Sequence, residues 1–321
     1  MPEIVKNTYS KLLEKYPDTA LMLSCCGAPA QWAGDKPLSD KHLEVIRTEW
    51  EKLGRPTVIF ACESCIKMFR EFLPEIPFIS LYTFIEQEKI QGRKLDTLKV
   101  SVFDPCASRE DEAAQQAVRA IARNIGYELE PIATEGKYAA CCSYGGQINL
   151  TNPRFADQVA QARINQNDLP YAVYCVNCRD TFASKGKPVF HILEAMFGEG
   201  EIDMAKQAPS PTQSRKNRWQ LKADMLKKYW NEEVKPMEEN NLFISEELKD
   251  KLSRDLILEE DICEVVAYCE TSGHKLYDEE NDVFIGHKRI GNMTFWAHYR
   301  PAEKGYTLVN AYGHRMNIAE D

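Results

Sequence analysis

Nine of the eleven cysteines in this chain fall into one repeated pattern, and that pattern limits what the chain can fold into. The first copy reads Cys25-Cys26-Gly27-Ala28, then Cys62-Glu63-Ser64-Cys65 after 35 intervening residues, 27–61. The second reads Cys141-Cys142-Ser143-Tyr144-Gly145-Gly146, then Cys175-Val176-Asn177-Cys178 after 32 intervening residues, 143–174. It also has a leading Cys106, separated from Cys141 by 34 residues. No export signal supports a disulfide framework, and the cysteine count is odd. Clustered cysteines in a reducing compartment point instead to metal or redox chemistry. The fold must therefore bring thiols together from distant parts of the sequence.

Each CxxC follows an apolar run that reads as a buried strand, residues 57–61 and 171–174. A helix-like stretch and a second apolar run follow each, at 78–82 and 189–193. Helices are expected between each cysteine pair and its CxxC, over 39–53 with Gly54 as a stop and over about 154–165. The second copy adds a leading strand, 98–103, that runs into Asp104-Pro105-Cys106. Strands alternating with helices predict parallel sheets covered by helices. Such sheets bind ligands beyond the carboxyl ends of their strands. Cys62, Cys106 and Cys175 each stand at such an end, and a CxxC there opens a helix whose N-terminal dipole favours thiolate. The expected fold class is α/β: two repeated cysteine-rich units with parallel-type sheets, followed by a small C-terminal α+β region. The divisions fall at 1–95, 96–198, 199–244 (linker and amphipathic helix) and 245–321.

The second motif supplies five thiols, whereas a structural zinc ion or a cubane cluster takes four. Adjacent cysteines in an extended chain point opposite ways, so Cys141 and Cys142 suit a larger cluster of several irons better than one small ion. Gly145 and Gly146 suit close approach of backbone to a bulky inorganic group. Zinc, a redox dithiol and buried thiols are the competing readings of the same cysteines.

At this point the chain resembles the CCG, or cysteine-rich, family, typified by the catalytic B subunit of heterodisulfide reductase. The family motif is a cysteine, CCG after some thirty residues, then CxxC after a similar gap, usually present twice; the resemblance covers about residues 1–198. It implies that Cys106, Cys141, Cys142, Cys175 and Cys178 hold a non-cubane [4Fe–4S] cluster. It further implies a redox subunit that reduces a disulfide or relays electrons, with partner subunits carrying iron–sulfur clusters or flavin, and a small disulfide as substrate. A non-catalytic iron–sulfur or zinc-stapled scaffold is the alternative. The second copy departs from the family in reading Cys-Cys-Ser. The first lacks its leading cysteine: none precedes Cys25. The expectation is either a start lying past that point or a reduced site, in which Cys25, Cys26, Cys62 and Cys65 hold a second iron–sulfur cluster or zinc.

The remaining features are plainer. A net charge of −9 argues against a nucleic-acid partner. No apolar run approaches the roughly 20 residues of a membrane span, and the start lacks a secretory signature. The cytoplasm is the expected location, with peripheral docking on a membrane complex allowed. No flavin, nicotinamide or P-loop motif is visible, so electrons must come from elsewhere. Residues 213–233 read as a helix with Trp219, Leu226 and Trp230 on one stripe among basic residues, either packed on its own domain or docking a partner. Residues 256–270 read as a helix, and 283–285, 293–299 and 306–312 as an antiparallel meander. His287, His298 and His314 lack ligand spacing and read as polar strand positions. Cys263 and Cys269 read as buried small thiols.

Overall fold

The structure, a computed structural model, describes residues 2–235 and 241–316. The chain forms two compact units, residues 3–208 and 209–321.

The first unit is α/β with parallel sheets. In its first repeat, β1 (Val58–Phe60) pairs in parallel with β2 (Phe78–Ser80). In its second repeat, β3 (Lys99–Phe103), β4 (Glu128–Leu129), β5 (Tyr171–Val173) and β6 (Val189–His191) form an all-parallel sheet in the order β4-β3-β5-β6. The register sets Phe103 beside Val173 and Val173 beside His191, so three strands end on one line. Cys106 and Cys175 follow directly from two of those ends.

The helices of this unit are fixed by their caps as well as their apolar faces. Asp35 caps Lys36–Lys52 by accepting from the Leu38 amide at 3.1 Å, and that helix stops before Gly54, at φ 82°. Asp111 caps Glu112–Ile125 through the Ala114 amide, and Asn152 caps Pro153–Ile164 through the Phe155 amide. The two expected intervening helices are therefore present within a few residues of their expected bounds. The second apolar run of each repeat is shorter as a strand than expected. Leu81-Tyr82 and Ile192-Leu193 already belong to the helices Leu81–Gln87 and Ile192–Phe197.

Side-chain alternation divides the second sheet between two cores, as a parallel sheet covered on both faces requires. Val100, Val102, Ala172 and Phe190 pack with helices Pro2–Lys15, Leu81–Gln87 and Glu112–Ile125. Phe103, Tyr171, Val173 and Val189 pack on the other face with Phe182, Cys142 and Cys178. A separate cluster in the first repeat includes Cys26, Leu43, Ile46, Met68 and Phe69. Burying Phe103 completely contributes about 2–3 kcal/mol.

In the second unit, β9 (Val283–Ile290), β10 (Met293–Pro301) and β11 (Tyr306–His314) form the expected antiparallel meander, and β8 (Lys275–Asp278), not expected from the sequence, pairs antiparallel with β9. A short strand β7 (Leu242–Phe243) adds to β11 in parallel, which the sequence pattern did not announce. The helix Glu259–Ser272 lies on one face of this sheet through Ile262, Val265, Val266 and Cys269. A Cβ at Gly286 would come within 2.2 Å of the Cys269 sulfur, so β9 leaves room for that thiol. His287, His298 and His314 lie on β9, β10 and β11, and the Trp296 indole donates to His314 Nε2 at 2.9 Å. The basic helix forms over Pro211–Trp230, but its apolar stripe differs from the expected one. Leu221 and Met225 are the buried positions, while Trp230 is 48% exposed.

Candidate metal centre

The five thiols of the second motif form one connected string. Cys106 opens a 3₁₀ turn, Cys106–Ser108, just past β3. Its sulfur meets that of Cys141, and Cys141 meets Cys142. Cys142 lies 3.3 Å from Cys178, sulfur to sulfur, and Cys178 meets Cys175. Cys175 is the cap residue of helix Val176–Ala183, with extended φ −133° and ψ 121°, so its sulfur faces the free amides of Asn177 and Cys178.

The first motif repeats this plan in part. Cys62 caps helix Glu63–Phe72 at φ −128° and ψ 116°, nearly the values at Cys175. Its sulfur faces the Ser64 and Cys65 amides, and Cys65 joins Cys62 to Cys26. The structure thus brings three of the four first-motif thiols together. Cys25 is exposed, and its sulfur accepts from the Gly27 amide at 3.4 Å.

Charge within these strings follows from which sulfur receives hydrogen bonds. Cys141 is held well below the ordinary thiol range by hydrogen bonds from Cys106 and Cys142, then by the Ser143 and Gly145 amides. Cys62 is lowered to about 6, chiefly by Cys65 and then by the Cys65 and Ser64 amides. Cys175 is lowered chiefly by Cys178, and Cys26 chiefly by Cys65. Their partners move the opposite way: Cys106, Cys178 and Cys65 are raised as the donors, and Cys142 is pushed up to about 12, first by Cys141. In the first string lowered and raised thiols alternate, whereas in the second the raised Cys142 and Cys178 lie side by side between the lowered Cys141 and Cys175.

The turn after each cysteine pair needs a left-handed residue. Gly27 adopts φ 85°, and Ser143 adopts φ 81° at the corresponding place. The serine is therefore more than a neutral change, because a side chain in that region costs on the order of 1 kcal/mol. Gly146 also has positive φ (69°), and a Cβ there would meet nothing within 4 Å. A Cβ on Gly145 would only touch the Trp32 ring at 4.0 Å, so the space beside both glycines is open.

The two motifs face each other. Helix Ala28–Trp32 packs on the turn Gly145–Gln147, where Gln147 Nε2 donates to the Pro29 carbonyl at 3.3 Å. Helix Glu63–Phe72 packs on the turn that starts at Cys106. Cys62 and Cys175 are close enough that charge on Cys62 disfavours ionisation of Cys175.

Beneath the thiols lies a buried polar network that the cysteine spacing gave no hint of. Asp104, fully buried, takes two hydrogen bonds from Arg119 at 3.0 and 2.8 Å. It also accepts from the Gly136 amide and the Tyr174 hydroxyl, both at 2.7 Å. Such a carboxylate is tolerable inside a protein only because its lone pairs are filled. The network fixes the strand end that delivers Cys106. Inside the first CxxC, Glu63 is 2% exposed; Ser80 donates to its Oε1 at 3.2 Å while its Oε2 has no partner among the described residues. Burial, then Asp111, pushes Glu63 up to about 8. A carboxylate inside a CxxC was a visible signal; its burial was not.

Among the described residues, no three His, Cys, Asp or Glu side chains close on one point in the manner of a single-ion site. The donor sets are strings of thiols that span a wider space. A group of several metal atoms with thiolate ligands fits that donor chemistry, and the second string has a sulfur for each of five positions.

Comparison with known proteins adds a family match. The model of the CCG cysteine-rich domain matches residues 1–70 and 100–179, which are the two segments that carry the motifs. This domain is often found in iron–sulfur oxidoreductase subunits. No curated protein and no solved structure matches the chain significantly. With one match on each repeat and the same cap geometry at Cys62 and Cys175, the chain carries two segments similar to the CCG cysteine-rich domain.

Proposed function

We propose that the chain is an iron–sulfur redox subunit, with residues 1–95 and 96–198 as its two cofactor-binding repeats. Cys106, Cys141, Cys142, Cys175 and Cys178 hold a non-cubane [4Fe–4S] cluster. Cys26, Cys62 and Cys65, with Cys25 at the rim, hold a second iron–sulfur cluster or a zinc ion. The observation that carries this reading is the continuous string of five thiols at the strand ends of one parallel sheet. Gly145 and Gly146 leave open space beside it.

When bound, the cluster supplies an electron store at iron. The chain's own residues prepare the site. The Ser143 and Gly145 amides hold charge on Cys141, and the Asn177 and Cys178 amides do so on Cys175. These fixed dipoles favour anionic sulfur without any rearrangement when the metal arrives. The substrate class is a small disulfide. Its reduction takes two electrons and two protons and gives two thiols, with the electrons coming from a partner subunit that carries iron–sulfur clusters or flavin. Among the described residues no helix is long and apolar enough to cross a membrane.

Iron and acid-labile sulfide analysis, with electron paramagnetic resonance, on anaerobically purified protein tests the reading. Iron and sulfide in comparable amounts with a paramagnetic signal are expected. Stoichiometric zinc without iron overturns it.

A further inference from the structure

Tyr82 lies outside both motifs, yet it touches the peptide preceding a cysteine in each. It is fully buried on helix Leu81–Gln87 of the first repeat. Its hydroxyl donates to the Ala61 carbonyl and to the Tyr174 carbonyl, each at 3.2 Å. Ala61 immediately precedes Cys62, and Tyr174 immediately precedes Cys175. One proton is thus shared between the two strand ends that open the two CxxC helices, and the equal, rather long distances are those of a three-centre bond.

The neighbourhood holds that hydroxyl in place. The Tyr82 and Tyr174 rings meet edge to face, with centroids 5.2 Å apart. The Tyr174 ring is fixed in turn by its hydroxyl, which bonds Asp104 at 2.7 Å and Ser108 at 2.9 Å. His191 Nδ1 accepts from the Leu193 amide at 3.3 Å, so its proton sits on Nε2.

We infer that Tyr82 is a positioning residue shared by the two cysteine motifs, a single hydroxyl that ties the Ala61–Cys62 and Tyr174–Cys175 peptides to each other. This deepens the cofactor reading, on which its functional weight rests. A displacement of one CxxC is passed to the other through one side chain. The two sites are then set as a pair rather than separately.

Hydrogen–deuterium exchange on the full chain without added metal tests this apart from the cofactor reading. In Tyr82→Phe, amide exchange across residues 58–66 and 171–179 is expected to quicken together, by about fivefold for one lost hydrogen bond. Residues 141–147 should be unchanged. Replacing Tyr82 with 4-aminophenylalanine, which keeps a donor at the same place, should restore the original rates. Unchanged exchange, or quickening in only one of the two segments, overturns the inference. If Tyr82→Phe does not fold, the 4-aminophenylalanine chain decides: recovery of the fold supports the shared donor, and failure to recover refutes it.

Discussion

The two cysteine motifs share a backbone plan and differ in what surrounds it. Both have a left-handed turn after the cysteine pair and an extended cysteine capping the CxxC helix. The second is fed by β3, whose end is fixed by the Asp104–Arg119 pair and which delivers Cys106. The first has no such strand; residues 19–26 before its Gly27 turn follow no regular secondary structure. One site has five connected thiols and the other three, with Cys25 outside the string. Two CxxC helices can thus be alike in geometry while one additional strand brings a further cysteine, Cys106, to the second.

The largest expected effect separates the two sites directly. Cys142→Ala removes the middle of the five-thiol string and is expected to abolish iron binding at the second motif. Cys25→Ala, at the exposed rim of the first, should leave second-motif iron unchanged. Iron per chain and the paramagnetic signal of each variant would show whether the motifs differ in this way.

Next in size is the anchor that only the second motif possesses. Arg119→Ala leaves Asp104 buried with its charge uncompensated, and should lower stability by about 3–5 kcal/mol. A urea unfolding midpoint close to that of the parent would mean that β3 is held by other contacts.

The strand after each CxxC gives a third contrast, because β2 ends in Ser80 and β6 in His191. Burial, with Arg179 nearby, lowers His191 to about 4 from its ordinary 6.5. Between those values the unfolded chain binds a proton that the folded chain does not, so stability falls as pH drops from about 6.5 toward 4. The loss amounts to about 3 kcal/mol, all of it absent above pH 6.5. His191→Gln should flatten that part of the curve of unfolding free energy against pH, and an undiminished slope would remove His191 as its source.

The smallest effect concerns the turn. Ser143→Gly makes the second turn like the first, and should raise stability by about 0.5–1 kcal/mol. A thermal midpoint that falls instead would show that the serine side chain has a role of its own.

Much of this was legible in the sequence. The apolar runs before Cys62, Cys106 and Cys175 placed all three at strand ends, and the alternation of elements gave parallel sheets. Tyr82 was hidden because Phe78 to Tyr82 reads as one apolar stretch broken only by Ser80. Periodicity over so few residues cannot mark where strand gives way to helix. The Asp104–Arg119 pair was hidden for another reason: its partners lie on a strand and a helix 15 residues apart, and neither residue is unusual where it stands. The Trp219–Leu226–Trp230 stripe failed because Leu221 and Met225, rather than the tryptophans, are the buried positions of that helix. The left-handed Ser143 was visible only by analogy with Gly27, since serine by itself does not announce a positive φ.

The core described for the first unit sets a rule for handling the molecule. Leu81, Tyr82 and Ile85 come from the first repeat, yet they share one cluster with Val100, Val102, Ala172 and Phe190 of the second. A cut near residue 95 would expose that apolar surface on both fragments. The duplicated motif looks modular on paper, but neither copy can be excised, transplanted or expressed alone without losing part of its own interior.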